Sequence, residues 1–92
     1  MRVLMKIDMP SREESPLRQD SGFETKWKNL LASLGAQSVV SNDVSGNRID
    51  YAIFDIKDLA VMFELAKAVH AWLGVKPEFL PEVTPKSFFG RK

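Results

Sequence analysis

The segment Arg48-Ile49-Asp50-Tyr51-Ala52-Ile53-Phe54-Asp55-Ile56 constrains this chain more than any other. With the two-residue period of a strand, Ile49, Tyr51 and Ile53 point to one side, and Ala52, Phe54 and Ile56 to the other. A strand that is apolar on both sides sits in the middle of a sheet, with both faces covered. The chain has 92 residues, enough for one domain and one core, so the remaining segments must supply those covers.

Val3, Met5, Ile7 and Met9 alternate with Arg2, Leu4, Lys6 and Asp8, which predicts a first strand stopped by Pro10. Ser11 to Asp20 is polar and reads as a surface loop. Within it, Ser15-Pro16 also fits an N-cap followed by proline at the first helical position. Ser21-Gly22-Phe23-Glu24 fits a capping box, and Phe23, Trp27, Leu30, Leu31 and Leu34 follow at helical spacing up to Gly35. Ala36 to Asn42 is a weaker strand whose low apolar content suits an edge. Asp43 to Asn47 is a turn, with Gly46 and Asn47 as the residues that tolerate positive φ. Asp58 is placed to cap a second helix from Leu59 to Leu73, ended by Gly74. Its broad apolar face includes Val61, Met62, Leu65, Ala66, Val69, Trp72 and Leu73, while Glu64, Lys67 and Ala71 mark the solvent side. Val75 to Val83 is the last strand, and Pro77 and Pro81 assign it to an edge. Residues 84–92 form a short tail in which Thr84-Pro85 opens a helical turn ahead of Phe88 and Phe89.

The resulting order, βαββαβ, is that of an α+β, ferredoxin-like domain spanning residues 1–92. Its four-stranded antiparallel sheet has the order 4-1-3-2, with two helices on one face. The other face of the sheet then needs its own cover. A second copy of the chain is the simplest one, since closed homodimers dominate among soluble oligomers. The competing cover is the chain's own tail, folded back through Phe88 and Phe89.

Composition removes several classes of function. There is no cysteine, hence no disulfide framework, no thiol nucleophile and no thiolate metal site. With a single histidine, a histidine-rich metal site is excluded as well. Thirteen basic against twelve acidic residues give a net charge of +1, too little to steer the protein to nucleic acid or anionic lipid. No apolar run reaches the roughly 20 residues of a membrane span, and the N-terminal segment is interrupted by charge too early for a signal peptide, so a cytoplasmic location is expected. There is no glycine-rich phosphate loop, nucleophile elbow or HExxH motif, and no cofactor is expected. The βαββαβ order is shared with RNA-recognition modules, whose third strand carries aromatic rings on which bases stack. Here Tyr51 matches that pattern, but Ile53 occupies the position of the second ring and Leu4 that of the strand-one ring, which argues against RNA.

Lys6 and Asp8 share one face of the first strand. If that face turns away from the helices, they line a pocket between sheet and partner, with Arg48 or Asp50 nearby on strand three. A few convergent charges in an apolar cavity suit a small organic ligand. For proton transfer, Tyr51 and His70 are the candidates, although the sequence supplies no orienting partner for the histidine. Trp27 and Trp72, on the apolar faces of their helices, are expected to anchor the core or an interface.

The opening Met1-Arg2-Val3-Leu4-Met5-Lys6-Ile7, the turn Gly46-Asn47-Arg48 and the ending Phe79-Leu80-Pro81-Glu82-Val83-Thr84-Pro85 are together similar to a family of small uncharacterised bacterial domains. Those domains carry a G-K-R turn before strand three and an ending close to V-E-x-x-P-V-M-T-P. The resemblance implies a ferredoxin-like subunit of the dimeric α+β barrel type. That broader superfamily includes cofactor-free monooxygenases, isomerases and stress-response proteins, and none of their catalytic residues carries over onto a position of this chain. The expected function is a homodimer binding a small, partly apolar organic molecule without metal or nucleotide. The alternatives are a cofactor-independent isomerase or monooxygenase, or an interaction module that uses the open sheet face.

Overall fold

The computed structural model describes residues 1–81. The predicted tail, including Phe88 and Phe89, and the end of the predicted last strand lie outside the described residues. In chain order the elements are β1 (Arg2–Asp8), α1 (Pro16–Gln19), α2 (Phe23–Ser33), β2 (Ser38–Val44), β3 (Asn47–Asp55), α3 (Ala60–Leu73) and β4 (Glu78–Pro81). The four strands form one sheet in the order β2-β3-β1-β4, the expected order read from its other end, and every neighbouring pair is antiparallel.

The register settles which face of β3 the helices cover. Val3, Met5 and Ile7 of β1 stand opposite Phe54, Ala52 and Asp50 of β3. These residues are buried together with Phe23, Trp27 and Leu31 of α2 and Leu65, Val69 and Leu73 of α3. Each helix contributes positions four apart, one stripe per helix, as two helices lying on one sheet face require. Leu4, Ile49, Tyr51 and Ile53 therefore face the opposite side.

The helix ends follow from specific residues. Ser15 is the N-cap of α1: its hydroxyl accepts from the Arg18 amide at 3.3 Å, and Pro16 opens the helix. The result is a separate single turn preceding α2. The capping box expected at Ser21 does not form, and Gly22 is the N-cap of α2 without a side-chain bond. Asp20 tethers this end instead, accepting from the Gly22 amide at 3.3 Å and from Lys26 Nζ at 2.7 Å. The box fails because Glu24 is drawn away by Arg48. At the other end, Gly35 (φ 98°) donates to the Ala32 carbonyl and Ala36 to that of Leu31, a Schellman closure. Asp58 does support the start of α3, its carboxylate accepting from the Ala60 amide at 2.9 Å.

The strand boundaries differ from expectation most clearly at the β2–β3 turn and at the start of β4. β2 and β3 stay paired until Val44 meets Asn47, leaving Ser45 (φ 55°) and Gly46 (φ 81°) as the turn. Positive φ at both central residues is the condition for the tight hairpin turn whose twist matches the strands. Asn47 is therefore a strand residue and Ser45 takes the left-handed position. β4 begins at Glu78 rather than Val75, directly after Pro77, which lacks the donor a ladder needs.

Candidate functional site

Three places bring polar and apolar groups together: a buried polar cluster under α2, the open face of the sheet, and a groove between α3 and β4.

The buried cluster centres on Asp50, which is completely inaccessible to solvent. One carboxylate oxygen accepts from Trp27 Nε1 at 2.7 Å and from an Arg48 terminal nitrogen at 3.0 Å, and the other accepts from Arg48 Nε at 2.9 Å. The same guanidinium forks onto both oxygens of Glu24, at 2.5 and 3.0 Å, and lies 6.0 Å from the centre of the Phe23 ring. Beside it, Trp27 and Trp72 stack with centroids 5.7 Å apart and planes within 6°, and Phe23 lies nearly parallel to both. None of its buried polar side-chain atoms lacks a hydrogen-bond partner, so the cluster locks α2 onto β3. The two neighbouring carboxylates, Asp50 foremost, push the Arg48 guanidinium above its ordinary pKa, so it remains a cation throughout the accessible pH range.

The Arg48 hydrogen bonds hold the Glu24 carboxyl below its ordinary range, more strongly than partial burial raises it. A depressed native pKa contributes stability above the unfolded value of 4.5, and that contribution is lost as the pH falls from there through the native value. Glu24 is 55% exposed, so solvent screening limits the gain to less than about 1 kcal/mol. Glu24→Gln is expected to lower stability slightly at pH 7, by a margin that narrows as the pH is taken below 4.5 to pH 3. Urea unfolding at both pH values checks this, and an equal gap at both would contradict it.

The open face is built from Leu4 and Lys6 of β1, Ile49, Tyr51 and Ile53 of β3, Val40 of β2 and Leu80 of β4. Leu4 is buried, Val40 is exposed and the other apolar residues are half-buried. Lys6 stands opposite Tyr51 and forms an ion pair with Glu78 at 3.6 Å, while Asp8 lies exposed at the strand end opposite Ile49. The structure thus keeps Lys6 and Asp8 on one face and puts Arg48 and Asp50 on the other, under α2. The four expected ligand residues do not converge, because Arg48 and Asp50 share the side-chain parity of Ala52 and Phe54, the face the helices bury.

The groove has a volume of about 540 Å³ and is lined by Leu59, Met62, Phe63 and Ala66 of the α3 region and by Pro77 and Phe79 beside them. Lys67, His70 and Lys76 are its polar lining. Leu59 and Phe63 are 60% and 71% exposed, an unusual degree for such large apolar side chains. His70 belongs to this groove and Tyr51 to the far side of the sheet, so the two proton-transfer candidates do not share a site. No family model, curated protein or solved structure matches the chain.

Among the described residues, no three acidic or histidine side chains are grouped to hold a metal ion, and no helix is long and apolar enough to cross a membrane. The sequence did carry a signal for the groove. Leu59, Met62, Phe63 and Ala66 recur at helical spacing, but they form a second stripe, rotated from the Leu65, Val69 and Leu73 stripe that reaches the core. A helix with two apolar stripes buries one in its own domain and leaves the other available.

Proposed function

We propose that this chain is a ferredoxin-like subunit of the dimeric α+β barrel type that binds a small, partly apolar organic molecule between helix and sheet. The observation that carries the binding reading is the groove between α3 and β4. Its volume lies within the roughly 300–1,000 Å³ of small-molecule sites, and its lining is apolar with three polar groups. Dimerisation is supported by the open face, where the two central strands present Leu4, Ile49, Tyr51 and Ile53 and no described helix packs. Lys6, at the border of that row, becomes an interfacial residue in such a dimer.

Light-scattering mass on a size-exclusion column, followed by native mass spectrometry of the same peak, tests both parts. The expected result is twice the 10.4 kDa chain mass, and Ile53→Lys is expected to return it to a single chain. A single-chain mass for the parent protein at every concentration would sink the dimer. Filling the groove with Ala66→Trp is expected to abolish any small mass retained in the native spectrum without changing the oligomeric state.

A further inference from the structure

The chemistry of the groove goes further than its size. Among the described residues its lining contains two lysines and a histidine and no carboxylate. The nearest acid on β4, Glu78, points to the other face of the sheet, where it pairs with Lys6. Phe79, the next residue, turns toward the helix side opposite Met5 and forms part of the groove wall. One strand thus sends its acid away and its ring inward, and what remains is an apolar trough with cationic groups along it. A neutral apolar ligand would leave those lysines without a partner, and a cationic one would be repelled. A molecule with an apolar body and one anionic group satisfies both parts, since a charge-assisted hydrogen bond to lysine beside a low-dielectric wall is stronger than one in open water.

We infer that the α3–β4 groove is a site for an anionic amphiphile, a carboxylate on an aliphatic or aromatic body, with Lys67 and Lys76 taking the carboxylate and Met62, Phe63, Ala66 and Phe79 the body. This rests on the ligand-binding reading above and adds the charge of the ligand. His70 completes the polar lining as a hydrogen-bonding group.

Decanoate, decanol and decyltrimethylammonium, each below its aggregation limit, are titrated into the full chain while the methyl signals of Met62 and Ala66 are followed by NMR. Decanoate is expected to bind at least about tenfold more tightly than decanol, which corresponds to about 1.4 kcal/mol. That preference is expected to disappear in Lys67→Gln/Lys76→Gln and to shrink with added salt. Ala66→Trp, followed at the Met62 methyl, is expected to abolish binding of all three probes. If that variant does not fold, Phe63→Glu, at a side chain 71% exposed, sets a negative charge in the groove and is expected to exclude decanoate selectively. Equal affinity for decanoate and decanol would overturn the anion assignment while leaving a neutral apolar site. Failure of all three probes to shift the groove methyls would overturn the ligand site itself. A concentration-dependent mass abolished by Phe63→Glu would assign the groove to a second copy of the chain and overturn both.

Discussion

Asp50→Ala is expected to lower the thermal midpoint by roughly 15–30 °C. Removing one partner of a buried ion pair costs about 3–5 kcal/mol, and each kcal/mol moves the midpoint of a domain this size by about 4–8 °C. The side chain is wholly buried and takes three hydrogen bonds, from Trp27 and twice from Arg48, so its loss strands an indole N–H and part of a guanidinium inside the core. A chain of this length has a total stability of only about 5–14 kcal/mol, so the variant would lose a fifth or more of it. Replacing both ends together, Arg48→Met with Asp50→Leu, is expected to recover much of the loss, since the cost lies in the orphaned charge more than in the missing attraction. An Asp50→Ala midpoint within 5 °C of the parent protein would show that the cluster is not closed in solution.

Trp27→Ala is expected to be comparably destabilising by another route. The side chain is 1% exposed and meets both Phe23 and Trp72 face to face. Truncating a buried aromatic costs about 3–5 kcal/mol through lost contacts and the cavity left behind. Trp27→Phe separates the two contributions. It keeps a ring in the stack and removes the N–H with the rest of the five-membered ring, for an expected loss of at least about 1.5–3 kcal/mol, the range of a hydrogen bond to a charged group. Urea unfolding gives the free energies. Near-ultraviolet circular dichroism reports whether Trp72 keeps an ordered neighbour. If Trp27→Phe were as damaging as Trp27→Ala, the hydrogen bond would outweigh the packing. If it were harmless, the Asp50 contact would contribute nothing measurable. The two sites share a bond, so their effects are expected not to add, and a double-mutant cycle would read the coupling directly.

The strand order was legible because separate local signals agreed. Two-sided apolar character placed β3 in the centre, and sparse apolar content and paired prolines placed β2 and β4 at the edges. The turn boundary was not legible, because Asp43 and Val44 look like turn residues by composition yet extend the ladder once Ser45 accepts a left-handed backbone. The missing capping box has the same origin. A serine-to-glutamate spacing cannot reveal an arginine 24 residues away that binds the same carboxylate. The parity of β3 was visible, but its facing was not: Ile49, Tyr51 and Ile53 are as apolar as Ala52, Phe54 and Ile56. The deciding residues are polar, since Arg48 and Asp50 find an indole and a glutamate only on the α2 side. A two-residue period carries no information about which layer lies on which side.

The register of β1 also ranks the strands by how hard each is to bring in. β2 and β3 meet across a two-residue turn, whereas β1 must find β3 with Arg2 beside Asp55, and β4 only with Val3 beside Pro81. Loop closure grows costlier by about 0.6 kcal/mol for each doubling of the intervening chain, so the most distant partner is also the most expensive. Among the described residues, β4 answers that cost with the ladder from Glu78 to Pro81 on one edge of β1. As an edge strand with the most distant partner, it is expected to open before the central strands, and amide exchange at Phe79 and Leu80 would register that opening. Phe79 is also a wall of the α3 groove. A molecule seated there would bridge this edge strand to α3, so binding would be expected to slow exchange at Phe79 and Leu80 before anywhere else in the sheet.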